Sequence, residues 1–79
     1  MKVVTAQVIR GIHHTQMIIG LQHSIQEEHI AATVYRIRAK SADPVTRRIY
    51  LHIAGEEMGH ARQYESRLAV VRRIQKRGK

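Results

Sequence analysis

The chain contains no cysteine, tryptophan or phenylalanine, and it has a single proline among 79 residues. Without cysteine it has neither disulfides nor thiolate metal ligands, and its core has to be built from aliphatic residues and tyrosine. The most apolar run, Met17–Leu21, is far shorter than the roughly 18 residues of a membrane span. Polar residues such as Gln7 and Arg10 interrupt any signal-peptide core near the N-terminus. We therefore expect a cytoplasmic protein with a single domain over residues 1–79.

Acidic residues are also scarce. There are six, against 14 lysines and arginines, which gives a formal net charge of +8. Four of the six form two adjacent pairs, Glu27 with Glu28 and Glu56 with Glu57. A basic chain that gathers its carboxylates in this way needs something to offset their mutual repulsion. A bound divalent cation would do so, and ion pairs with the abundant arginines are the alternative.

The single proline marks the clearest break in the chain. Asp43, which precedes it, is a favourable helix N-cap, and Pro44 fits the first position of a helix. Apolar residues recur at helical rather than strand spacing on both sides of this break. These signals predict an all-α antiparallel two-helix hairpin, with a helix over about 4–40, a turn at 41–43 and a second helix over about 44–76.

Both predicted helices carry a glutamate within an apolar face. Glu28 lies among apolar residues of the first helix, and Glu57 and His60 lie within the apolar stripe of the second. The first helix also has an apolar row on its opposite side, and a helix that is apolar on two sides is buried on two sides. Because one hairpin covers only one of them, we expect a homo-oligomer, a dimer or higher. The row consists of Ile12, Ile19, Ile30 and Ile37, with Val34 nearby.

The spacing of three side chains suggests a metal site. Glu28 lies 15 residues before Asp43 and Glu57 lies 14 residues after it, so a reversal at the turn brings both to the same height. His60 follows Glu57 by three residues and points the same way. A twofold dimer would offer four glutamates and two histidines, the ligand set of di-iron and di-manganese helical bundles. Such oxygen-rich sites suit iron or manganese better than structural zinc.

Three segments carry a family resemblance: Glu28–Tyr35, which reads EHIAATVY, Ala42–Arg47, which reads ADPVTR, and Ile53–His60, which reads IAGEEMGH. Together they resemble the rubrerythrin branch of the ferritin-like superfamily, especially its half-size two-helix members such as the encapsulated ferritins. The resemblance implies that two hairpins form a ferritin-like four-helix bundle around a non-haem di-iron centre. It also implies that ferrous iron is oxidised there by oxygen or peroxide, and it leaves open which oxidant is used.

The same resemblance implies a role for each site residue. Glu28 and His60 would be terminal metal ligands, Glu57 a bridging ligand, and Tyr35 a phenol that acts beside the metals. The cofactor would be two iron ions per dimer site, with manganese as the alternative. The chain lacks the cysteine pairs of a rubredoxin-like module and a tail similar to an encapsulin-targeting peptide, so the resemblance does not extend to those features.

The basic C-terminal segment points to a different function. Residues 62–79 hold seven arginines or lysines and one glutamate, and such a segment can bind nucleic acid through phosphates without reading its sequence. Apart from Tyr64 it has no interleaved aromatic residue, and it has no helix-turn-helix spacing that would support base recognition. A purely structural helical assembly module is the third interpretation. It explains the two apolar rows, but not a glutamate in the middle of each core stripe.

Overall fold

The computed structural model describes residues 6–77, which form two long helices joined by a short turn. Helix α1 spans Ala6–Lys40 and helix α2 spans Pro44–Arg77. They pack side by side in a rod of 64 × 24 × 11 Å. The all-α two-helix hairpin predicted from the sequence is confirmed. The predicted start of the first helix near residue 4, and residues 78 and 79 of the basic segment, lie outside the described residues.

The start of α2 is fixed by the side chain of Asp43. Its Oδ1 accepts hydrogen bonds from the backbone N–H groups of Val45 at 3.1 Å and Thr46 at 2.9 Å, and its Oδ2 accepts one from the Thr46 hydroxyl at 2.8 Å. The two bonds from backbone N–H groups satisfy donors that have no partner within the first turn of a helix. Because they favour the ionised carboxylate, those from Thr46 foremost, they lower the pKa of Asp43.

The end of α1 is closed by an arginine from the beginning of α2. Arg47 donates through Nε to the carbonyl oxygen of Ala39 at 3.0 Å and through Nη2 to that of Ala42 at 3.1 Å. The last carbonyls of a helix have no intrahelical partner, and a cation there also offsets the negative end of the helix dipole. The two bonds hold the helices together at the turn, and this sets the register in which the rest of the hairpin packs.

Small side chains form most of the contact between the helices. The buried residues are Ala32, Ala39, Ala54, Ala61, Leu68 and Val71. The tyrosines of the two helices meet near the turn, where the rings of Tyr35 and Tyr50 are 5.8 Å apart between centroids. The isoleucines 12, 19, 30 and 37 are each half or more exposed, so the hairpin leaves the second apolar row of α1 uncovered. Over the described residues, neither helix is long and apolar enough to cross a lipid bilayer.

Replacing Asp43 with alanine is expected to lower the melting temperature at neutral pH, because α2 then loses its N-cap. Since the folded state lowers the pKa of Asp43, this stabilisation is present above the ordinary carboxyl pKa and is lost as the pH falls through the lowered value. Melting curves followed by circular dichroism should therefore show a difference in melting temperature between the variant and the unaltered protein, and this difference should become smaller in strong acid. Asp43→Asn is the matched control, since asparagine caps a helix but does not titrate. A difference in melting temperature that stays the same at every pH would contradict this role of Asp43.

Candidate metal centre

Three potential metal ligands meet halfway along the helix pair. Glu28 comes from the middle of α1, and Glu57 and His60 come from successive turns of α2. One ligand atom from each of the three lies within 4.8 Å of the others. This is the group that the spacing around the turn predicts, because the capped turn at Asp43 fixes the height at which the two helices face each other.

The Glu28 carboxylate is the least satisfied polar group of this cluster. Its side chain is 19% exposed, and its Oε2 is buried without a hydrogen-bond partner. Its contact with a basic group is to Nδ1 of His60, and the distance from Oε2 to Nδ1 is 3.5 Å. This distance is longer than the usual range of an N–H···O hydrogen bond. A buried carboxylate oxygen without a partner is costly. A cation held between these three side chains would give that oxygen a partner.

The two carboxyl groups of the cluster also interact, and this interaction affects the pKa of Glu57. The pKa of Glu57 is raised above its ordinary value, first because its carboxyl group hydrogen-bonds to Glu28, then because it is partly buried and because Glu28 is negatively charged. His60 acts in the opposite direction and favours the ionised form. A hydrogen bond between two carboxyl groups requires a proton, so the metal-free cluster holds Glu57 towards its protonated form. A cation that binds both oxygens would take the place of that proton.

Arginine does not neutralise these carboxylates. In the described range, 6–77, no carboxylate forms an ion pair with arginine or lysine, and every such contact is with histidine. Ion pairing with arginine, the alternative explanation for the clustered glutamates, is therefore not observed at Glu28 or Glu57. Among the described residues, no arginine or lysine therefore compensates the repulsion within the cluster.

The other glutamate of each pair has a different partner. Glu27 contacts His23 at 3.3 Å and Glu56 contacts His52 at 2.9 Å, in each case one helical turn along the same helix. His29 lies 3.6 Å from Glu65 across the helix pair. The four-residue spacing of the first two pairs is readable in the sequence and predicts such contacts. Glu27 and Glu56 thus lie outside the three-ligand cluster.

Tyr35 lies two helical turns nearer the hairpin turn than Glu28, and it is not part of the cluster. Its ring packs against Tyr50, and the guanidinium carbon of Arg38 lies 5.5 Å from the ring centroid. The side chain is partly buried between the helices. A catalytic role for Tyr35 therefore stays a prediction, while its packing role is evident.

The cluster opens on one side of the hairpin. The His60 side chain is 51% exposed, and helical spacing places Val45, Ile49 and Ile74 on the same side of α2. All three are exposed. Two carboxylates and one imidazole can coordinate one metal ion and leave other coordination positions open. Within one chain the cluster therefore offers three ligands and is open on the side of His60.

No family model, curated protein or solved structure matches this chain. Membership of the rubrerythrin branch accordingly stays a prediction that rests on the three sequence segments. The geometry of Glu28, Glu57 and His60 is independent of that assignment.

Proposed function

We propose that this protein is a non-haem di-iron protein in which two chains share one metal site and oxidise ferrous iron with oxygen or peroxide. The observation that carries the proposal is the cluster of Glu28, Glu57 and His60, in which a buried carboxylate oxygen has no partner. Carboxylate oxygens with a single imidazole are ligands that suit iron, and manganese is the alternative metal.

Two features support a site shared by two chains. One chain provides three ligands, whereas two chains related by a twofold axis provide four glutamates and two histidines, the set that holds two metals in ferritin-like bundles. The exposed apolar residues on the same side of α2 as His60, which are Val45, Ile49 and Ile74, give a second hairpin a surface to pack on. Packing two hairpins on this side makes a four-helix bundle with the six ligands inside it. The row containing Ile19 and Ile30 faces away from this bundle, so it is available for contacts between bundles in larger assemblies.

Within such a site the residues of the chain have distinct tasks. Glu57 would lie between the two metals and Glu28 and His60 would each hold one, as the resemblance to the rubrerythrin branch implies. Ferrous ions held by these residues would supply two electrons per pair, one from each ion, to oxygen or peroxide. Metal binding competes with protons for these carboxylates, and the raised pKa of Glu57 makes that competition stronger than at an ordinary carboxyl group.

Ferrous oxidation tests this proposal. The protein should speed the appearance of ferric iron above the rate in buffer, and a comparison of oxygen with peroxide identifies the preferred oxidant. His60→Ala should reduce the rate to that of buffer, because each site loses both imidazole ligands. His52→Ala is the matched control and should retain the rate, since His52 lies on the same helix but contacts Glu56 outside the cluster. Oxidation at the buffer rate by the unaltered protein, or equal loss in both variants, would refute the proposal.

A further inference from the structure

Four cations form a row on α2 near the open end of the hairpin. They all lie within about a third of the circumference of α2, at 3.6 residues per turn, on the side opposite the buried Val71. All four are exposed. At about 1.5 Å per residue the row is about 22 Å long. We call it the outer stripe, and it consists of Arg62, Arg73, Lys76 and Arg77.

The charge of the outer stripe is not compensated within the described part of the chain. The only acidic residue in α2 beyond His60 is Glu65, and its contact is with His29. The remaining carboxylates lie against histidines, against each other or at the N-terminus of α2. In contrast, Arg47 is committed to two backbone carbonyls. The side chains of the outer stripe are therefore available to an anionic partner.

The shape of the stripe indicates which polyanion fits it. It is linear and long enough to meet about six phosphates of one strand, given their spacing of about 3.4 Å along a duplex. Its side of α2 carries no aromatic residue on which an unpaired base could stack. A membrane-binding helix requires an apolar face beside its cations, whereas Ile74 is the only large apolar side chain exposed along this part of α2.

We propose that the outer stripe binds the phosphate backbone of duplex DNA without recognising its sequence. The guanidinium groups of Arg62, Arg73 and Arg77 donate hydrogen bonds to phosphate oxygens, and Lys76 adds a point charge. Binding is driven mainly by the release of counterions from the duplex. The stripe lies on the side of α2 that faces away from α1, so this binding does not depend on metal in the cluster.

The salt dependence of binding tests this surface. Fluorescence anisotropy with a labelled duplex of random sequence should give an affinity whose logarithm falls linearly with the logarithm of salt concentration. Each phosphate contact contributes about 0.9 to this slope. Arg73→Gln with Arg77→Gln should therefore reduce the slope by about 1.8 and weaken binding at low salt. Glutamine has nearly the same helix propensity as arginine, so circular dichroism should be unchanged.

The matched control removes the same charge from the other end of the hairpin. Arg36→Gln with Lys40→Gln lowers the net charge equally, but both residues lie on α1 near the turn, and the slope should stay within experimental error of the unaltered protein. Equal losses in the two double variants would show that net charge alone attracts DNA and would overturn the proposal. Absence of duplex binding at low salt, or tighter binding to anionic lipid vesicles or to single strands, would also overturn it.

Discussion

Glu57→Ala should weaken metal binding by more than about 100-fold, because even residues that only hydrogen-bond to a metal ligand cost about 10- to 100-fold when they are replaced. Glu57 is one of the three clustered ligands, and in a site shared by two chains one substitution removes two carboxylates. The fold should survive, since alanine is the best helix former. Anaerobic titration with ferrous ion, followed by calorimetry, measures the loss directly.

The adjacent glutamate provides a control with the same chemistry. Glu56 precedes Glu57 on α2, points about 100° away around the helix and contacts His52. Glu56→Ala removes the same charge from the same region, and it should leave the affinity for ferrous ion within about threefold of the unaltered protein, in line with ordinary surface substitutions of about 0.5 kcal/mol. Equal losses of affinity in the two variants would mean that ferrous ion is attracted by general negative charge and not held by the three-ligand cluster.

Glu28→Gln is expected to change the melting temperature in opposite directions with and without metal. In the metal-free protein the glutamine amide can donate a hydrogen bond to the Glu57 carboxylate, and it removes one of the two negative charges. The buried oxygen of Glu28 without a partner is then replaced by a group that can find one. We expect the melting temperature of the metal-free variant to equal or exceed that of the unaltered protein.

With metal present, Glu28→Gln should melt at a lower temperature than the unaltered protein. A ligand that binds only the folded state stabilises it by about 2.7 kcal/mol at 100 times its dissociation constant, and a neutral amide is a poorer metal ligand than a carboxylate. Paired melting curves with and without ferrous ion, recorded anaerobically, measure both effects. Equal destabilisation of the two forms would assign Glu28 a structural role in the core, and the proposed metal site would lose its main support.

The fold of the hairpin follows largely from the residues at its turn. Asp43 and Pro44 mark the end of one helix and the start of the next, and the spacing of Glu28 and Glu57 from that point is enough to place them at one height. These features are local, because a cap and a proline act within one helical turn. For the same reason the meeting of Glu28, Glu57 and His60 is predictable from counting residues along two regular helices.

Residue spacing alone does not determine the contacts that depend on side-chain direction. The seven-residue spacing from Glu28 to Tyr35 places the tyrosine on the same face, but its ring packs against Tyr50 and under Arg38, two turns from the carboxylates. The abundance of arginine suggests ion pairs with the clustered glutamates, yet the pairs that form are with histidine. Charge counts give the number of cations in a chain, whereas the geometry of the two helices decides which carboxylates they reach.

The mass of the metal-loaded protein tests the shared site most directly. Native mass spectrometry of protein loaded anaerobically with ferrous ion should show dimers that carry two iron ions, or larger assemblies of even chain number with one iron per chain. The same preparation of Glu57→Ala should carry no iron. Single chains that hold iron at full occupancy, or dimers that bind none, would contradict a site built from Glu28, Glu57 and His60 of two chains.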